Sequence, residues 1–382
     1  MSLDFELTEE QLMIRDTVRK LAQNEFAPRA AEIDREHRFP RENLKKLAEL
    51  GFMGIPIPEE YGGAGCDFLS YIMAIEEISR ACASTGVILA VHTSLGCFSL
   101  LYHGTEEQKK KYLTKLATGE WLGAFALTES NAGSDPSNLS TSARLEGDYY
   151  IVNGSKIFIT SGGEADLYVT FVRTSPGKGH KGITCLLIEK DTPGFSIGKV
   201  EEKMGLNGSR TAELIFDNAR VPRENVLGVE GEGFKVAMAL LDGGRIGIGA
   251  QGLGIAQAAF DVALEYARQR VQFGRPIAEF QAIQFMLADM ATQIDAARLL
   301  VYRAARLKDK GLPHSREASM AKMYATDTAM FVTTNAVQIL GGYGYCKEYP
   351  VERYMRDAKI TQIYEGTNQI QRLVIAKHLL RG

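Results

Sequence analysis

A chain of 382 residues is too long for one small core, so two or three domains are expected. With 45% apolar and 24% charged residues and a formal net charge of −3, it has a globular composition and no bulk attraction for nucleic acid or an anionic membrane. Its five cysteines, at 66, 82, 97, 185 and 346, are odd in number and lack CxxC spacing, which excludes a zinc pattern and reads as buried reduced thiols. The start, MSLDFELTEEQ, has neither the basic and apolar regions of a signal peptide nor an Arg-rich transit pattern. Apolar stretches fall short of the roughly 18 residues that span a bilayer, so no membrane insertion is expected. A cytoplasmic protein follows, or one of the mitochondrial matrix if a transit peptide has been removed.

In chain order, residues 1–122 read as a helical domain. Thr8-Glu-Glu-Gln11 has capping-box form, with Ile14, Val18, Leu21, Ala22 and Phe26 following at near-helical spacing. An apolar helix is predicted from about Phe68 to Leu101, broken near Ser84-Thr-Gly86, and Thr105-Glu-Glu-Gln108 caps another. Residues 123–228 read as strands. Asn153-Gly154 predicts a hairpin turn between two β-rich runs, and Leu167–Arg173, Ile183–Glu189 and Ala212–Phe216 are further strands of a small β-barrel. Residues 229–382 return to helical periodicity over Phe280–Lys310, Arg316–Leu340 and Thr367–Leu380, which predicts a four-helix bundle. The fold class is mainly α with a β insert: N-terminal helical domain, middle β-barrel domain, C-terminal bundle.

Two generic motifs match without their context. Gly177-Lys-Gly-His-Lys-Gly182 fits GxGxxG, but a β run follows it instead of the helix that a dinucleotide site needs. Gly194-Phe-Ser-Ile-Gly198 fits GxSxG inside a β segment rather than at a strand–turn–helix junction. Three other runs carry more. Phe125–Asp135 mixes small and hydroxyl residues that let backbone N–H groups approach a polar planar ligand, although a plain Ser/Asn-rich turn has the same composition. Gln338–Tyr345 has three glycines where one would cap a helix. In Ile360–Gln369, Glu365 stands among apolar and aromatic neighbours before a glycine. There it is either a base with a raised pKa or a solvated glutamate in a helix's first turn.

These runs, together with Pro58-Glu-Glu-Tyr-Gly-Gly63, Asn153-Gly-Ser-Lys156, Gln272-Phe-Gly274 and Ile363-Tyr-Glu-Gly-Thr-Asn368, resemble the acyl-CoA dehydrogenase family over essentially the whole chain. The likeness is greatest to its short-chain, butyryl-CoA members. The resemblance implies FAD as cofactor. Phe125, Leu127, Thr128, Ser134, Phe158, Ile159, Thr160, Thr367 and Gln369 match positions that contact it, with Phe158 standing where many members have Trp. Arg270, Phe273, Gln281, Gln338, Ile339, Leu340, Gly341 and Gly342 match contacts to FAD held by a neighbouring subunit of a homotetramer. Ser134, Asp242, Arg245, Tyr364 and Gly366 match substrate contacts. Glu365 would take the α proton of an acyl-CoA while the β hydrogen leaves as hydride, and electrons would pass on to an electron-transfer flavoprotein. No metal is implied. Some members carry the base at the position of Gly244, whereas the run Leu241-Asp-Gly-Gly-Arg245 looks short-chain. An acyl-CoA oxidase, a branched-chain or dicarboxylic acyl-CoA dehydrogenase, and a flavin-free acyl-CoA-binding module are the alternatives.

Overall fold

The computed structural model describes residues 6–175 and 179–380. The N-terminal region contains α1 (Glu9–Leu21), α2 (Ala27–Arg35), α3 (Arg41–Glu49), α4 (Phe68–Ala81), α5 (Ala83–Val91), α6 (Phe98–His103), α7 (Glu106–Gln108) and α8 (Thr114–Ala117). Both expected capping boxes form: the Thr8 and Thr105 hydroxyls each accept a hydrogen bond from the N–H of the Gln three residues on, whose side chain returns to the cap N–H. These satisfy helix-start donors that would otherwise be orphaned.

The helix break falls earlier than predicted. It lies at Cys82, whose backbone is extended (φ −150°, ψ 98°), while Ser84, Thr85 and Gly86 are already inside α5. From Ala83 the chain then runs helically to His103 through a π-helical segment, His92–Cys97. That stretch is long and apolar enough to cross a membrane, contrary to the expectation from the sequence, but 94% of its most apolar window is buried inside the protein. An all-round apolar helix belongs in a core of this size. Cysteines 82, 97 and 185 are buried as expected; Cys66 is half-buried and Cys346 is exposed.

The middle region is built on one eight-stranded sheet. It comprises β1 (Gly123–Ala126), β2 (Ser142–Glu146), β3 (Tyr149–Thr160), β4 (Leu167–Arg173), β5 (Ile183–Glu189), β6 (Phe195–Val200), β7 (Thr211–Pro222) and β8 (Val226–Leu227), in the order β6-β7-β3-β2-β4-β5-β8, with β1 parallel to β4. Asn153-Gly154 is not a hairpin turn. The chain turns instead at Gly147 (φ 60°), and β3 continues straight through Asn153 with a bulge between Val152 and Gly154. Pairing with β7, some 65 residues away, overrides the local turn preference, and the Asn153 side chain accepts a hydrogen bond from the Asn218 N–H. A second irregularity, between Lys156 and Ile159, leaves Phe158 at φ 59° and 60% exposed. Ser196 pairs with Ile215 within the sheet, so the GxSxG match is a strand. Of the GxGxxG match, Gly177 and Lys178 lie outside the described residues, and β5 begins directly after Gly182.

The C-terminal region is built on α9 (Gly233–Gln269). After it come the short β9 (Val271–Gln272) and β10 (Arg275–Pro276), then α10 (Gln281–Asp309), α11 (Ser315–Leu340), α12 (Val351–Thr361) and α13 (Asn368–Leu380). At 37 residues α9 is roughly 55 Å long, and Gly243 to Ala256 are all buried, packed between α4, α10 and α11. α12 is not foreseen in the sequence reading; it carries the chain back from the exposed Gly341–Tyr345 turn to Glu365.

Candidate active site

Glu365 and Gly366 form a left-handed turn between α12 and α13, with φ 50° and 92°. A non-glycine residue at positive φ costs on the order of 1 kcal/mol, so something must hold it there. The Gln371 side-chain amide donates to the carbonyls of both Gly366 (2.8 Å) and Glu365 (3.3 Å), and the Lys322 ammonium donates to the Gly366 carbonyl at 2.9 Å. The turn's carbonyls are thereby drawn to one side. Among the described residues no acceptor is found for the Glu365 N–H.

The Glu365 carboxyl is shielded from water, and among the described residues neither of its oxygens has a hydrogen-bond partner. Burial pushes its pKa up to about 7, against the opposing pull of Arg245 and Lys322. Buried polar atoms are almost always paired, so a carboxylate left bare is a feature to be explained by function. Directly facing it is Gly244 of α9: a Cβ placed there would lie 2.3 Å from Glu365 Oε2. The glycine makes the room that the carboxylate occupies.

This carboxyl opens on a cavity of about 480 Å³ that draws on all three regions of the chain. Val87, Val91 and Leu95 come from the N-terminal helices; Phe125, Leu127, Thr128, Gly133, Ser134, Phe158, Ile159 and Thr160 from the sheet; Leu241, Arg245, Tyr364, Glu365 and Gly366 from the C-terminal helices. The 81–108 stretch contributes no cation to this lining, and the cations come instead from Lys203, Arg245, Arg356 and Lys359. The Tyr364 hydroxyl donates to Gln251 of α9, which fixes the residue before Glu365. Asp242 does not line the cavity. It lines an adjoining one of about 420 Å³ that shares Met238 and Arg245, and it accepts a 2.6 Å hydrogen bond from Arg245, whose Nε is buried without a partner.

Other predicted residues lie outside the cavity. Arg270 stacks over the Tyr343 ring at 5.6 Å, and Phe273 is 94% exposed on the β9–β10 hairpin. Gln281 opens α10, and Gln338 to Gly342 end α11, where Ile339 and Leu340 turn their side chains into the core so that only their backbone is available to a ligand. The Thr367 hydroxyl accepts from the Ile370 N–H at the start of α13, and Gln369 is exposed. A larger cavity of about 580 Å³ lies among α1, α4 and α10, but its buried carboxylates, Glu76 and Glu77, are each bound by arginine (Arg298 and Arg19).

Sequence reasoning missed the groups behind the site. Lys156 is fully buried; its ammonium donates to Glu129 Oε1 (2.8 Å) and to the Leu127 carbonyl (3.2 Å), while Glu129 also accepts from the N–H groups of Ser140 and Thr141. Burial alone would raise the Glu129 carboxyl, but the Lys156 charge and these hydrogen bonds win and hold it at about 2. This pair fastens the Leu127–Ser134 loop to β3. The signal was present as Glu129 and Lys156 in two quoted motifs, without a sign that they meet. Lys322 lay in no motif, and Asn368, although it ends the Ile363–Asn368 run, gave no sign of meeting it.

Three sequence models match in succession: the acyl-CoA dehydrogenase N-terminal domain at residues 8–120, its middle domain at 124–219 and its C-terminal domain at 231–380. The short-chain specific acyl-CoA dehydrogenase of Clostridium acetobutylicum is 58% identical over 99% of this chain and 100% of its own. The butyryl-CoA dehydrogenase structure from Megasphaera elsdenii superposes with a TM-score of 0.97 at 51% identity, over 99% of this chain and 100% of that one. A chain solved in work on the electron transferring flavoprotein of Acidaminococcus fermentans and flavin-based electron bifurcation superposes at 0.98 with 56% identity, again over 99% and 100%.

Proposed function

The chain belongs to the acyl-CoA dehydrogenase family, and from that premise we propose that it converts a short-chain acyl-CoA thioester to the trans-2-enoyl-CoA, with Glu365 as the base. The observation that carries this reading is the Glu365 carboxyl, buried, without a hydrogen-bond partner and aimed into the shared cavity.

The family is FAD-dependent, and the residues present fit that group. Gly133 has open space where a Cβ would stand, hydroxyls of Thr128, Ser134 and Thr160 line the sheet side, and Phe125, Leu127 and Ile159 give an apolar face for a ring. Bound there, FAD supplies the acceptor for the hydride that leaves the β carbon.

The chain's own residues then have defined tasks. Glu365 accepts the α proton at a carboxylate oxygen; a base near neutrality is well matched to that transfer. The free Glu365 N–H is the donor for the thioester carbonyl, which must be polarised because its α proton is a weak acid. Val87, Val91 and Leu95 close an apolar end that accommodates a straight chain of about four to six carbons and excludes water. Arg245, held by Asp242, lies at the junction with the second cavity and suits the polar part of the CoA. Electrons leave to an electron-transfer flavoprotein, and the chain assembles as a homotetramer; the large exposed aromatic side chains Phe273 and Tyr345 support that assembly.

Glu365→Gln tests the base. It should retain FAD and bind acyl-CoA, yet slow anaerobic flavin bleaching by butyryl-CoA several orders of magnitude. Near-normal bleaching would remove Glu365 from the mechanism.

A further inference from the structure

Lys322 stands on α11, fully buried, in a stretch that otherwise packs small and apolar side chains against α9. Burying an ammonium costs several kcal/mol unless it gains something specific. The other fully buried lysine, Lys156, has a carboxylate at 2.8 Å. Lys322 has none at ion-pair distance among the described residues; its partners are neutral, the Gly366 carbonyl at 2.9 Å and Asn368 Oδ1 at 2.8 Å. Asn368 is itself oriented by Thr326 and Asp327, to which its amide donates at 2.9 and 2.7 Å. The Lys322 charge is therefore not neutralised locally and acts on what lies beyond the turn.

We propose that Lys322 is a positioning residue for the base: it grips the Gly366 carbonyl so that the left-handed Glu365–Gly366 turn presents the carboxylate, and its uncompensated charge favours the ionised form of Glu365. The proposal rests on Glu365 being the base. Two separate tasks follow from the geometry. The hydrogen bond fixes the turn, a task shared with the uncharged Gln371 amide on the same carbonyl. The charge sets proton affinity, a task Gln371 cannot share.

The charged and titratable groups around the pair are few. Arg245 reaches Glu365 from α9 and opposes a charge on Lys322; Asp327 on α11 favours that charge; Tyr71 on α4 and the adjacent Tyr364 both sense the charge of Glu365. Burial draws Lys322 down to about 7 while Glu365 works against that fall, so each group favours the charged form of the other. An ionised base and a protonated lysine are held together, and losing one neutralises the other.

The test separates the two tasks. Lys322→Met and Gln371→Leu are prepared as FAD-loaded enzyme, and anaerobic flavin bleaching by butyryl-CoA is followed against pH. A second readout, independent of turnover, is calorimetric: the pH dependence of proton exchange on binding S-butyl-CoA, a thioether without the carbonyl that acidifies the α proton, so that it is not dehydrogenated. Lys322→Met is expected to slow bleaching by about a hundredfold, as for a reacting group misplaced by roughly 1 Å, and to move the acidic midpoint upward by about one unit in both readouts. Gln371→Leu is expected to slow bleaching while leaving the midpoint in place. A Lys322→Met enzyme with an unmoved midpoint overturns the proposal. Should that variant not fold, Lys322→Arg decides. With the charge kept, the midpoint should stay while the rate falls; a moved midpoint or an unchanged rate overturns the proposal. Failure of the base reading is seen separately, as normal bleaching in Glu365→Gln.

Discussion

Replacing Gly244 by alanine should make the enzyme slower and no less stable. The added Cβ would stand 2.3 Å from Glu365 Oε2 and 3.2 Å from its Cδ, whereas ordinary contact begins near 3.4 Å. The carboxylate end must therefore retreat by about 1 Å, because α9 is packed on all sides and cannot. Leu95 Cδ2, at 3.4 Å, is only touched. Displacing a reacting group by about 1 Å can cost on the order of a hundredfold in rate. Stability should move the other way: an alanine in a helix interior is favoured over glycine by about 1 kcal/mol, and what it meets is the end of a flexible side chain. The assay is anaerobic flavin bleaching by butyryl-CoA beside a thermal melt of the same preparation. The same geometry says where a relocated base would work. Gly244→Glu combined with Glu365→Gly projects a carboxylate from α9 into the space Glu365 vacates and should recover part of the activity lost in Glu365→Gly alone. A Gly244→Ala enzyme with the parent's rate would refute the placement of the carboxylate against α9.

Bleaching in the parent enzyme should rise with pH through about 7, since only ionised Glu365 accepts a proton; a flat profile from pH 5 to 9 contradicts the raised pKa. The same shift has a stability consequence. A carboxyl moved from 4.5 to about 7 makes folding less favourable as pH rises through that window, by up to about 3 kcal/mol at roughly 1.4 per unit. Glu365→Gln should therefore melt higher than the parent at pH 8 and lose that advantage near pH 4.5; chemical denaturation at the two pH values measures it. Lys156→Met strands Glu129 as an unpaired buried carboxylate and should destabilise by about 3–5 kcal/mol with loss of FAD, seen as a lower melting temperature and a paler protein; an unchanged melt would mean that the pair does not fasten the loop. The reduced enzyme should reoxidise faster with an electron-transfer flavoprotein than in air, and the reverse order would favour an oxidase.

What could be seen in the sequence and what could not divide by distance along the chain. Thr8 and Gln11, or Thr105 and Gln108, meet across three residues, so their capping boxes are visible in the letters and form as expected. Asn153-Gly154 is equally local and was misread. The turn it encodes loses to the ladder between β3 and β7, which links residues about 65 apart. Glu365 was legible for a different reason: a run of unusual residues, Ile363 to Asn368, matched a family, while its raised pKa comes from burial against α9, beside Arg245 and Lys322, which no local window contains. Lys322 marks the limit. In Ser315–Leu340 it looks like one polar residue on an amphipathic helix, and an exposed lysine would be the ordinary reading. Only the fold shows that the face it lies on meets the Gly366 carbonyl, 44 residues on, with no carboxylate at ion-pair distance among the described residues. Glu365 could be singled out from its own motif, but the residues that hold its turn, make its room and carry charge near it are assembled from α9, α11 and α13. A motif therefore locates this chemistry, and long-range packing determines whether it works.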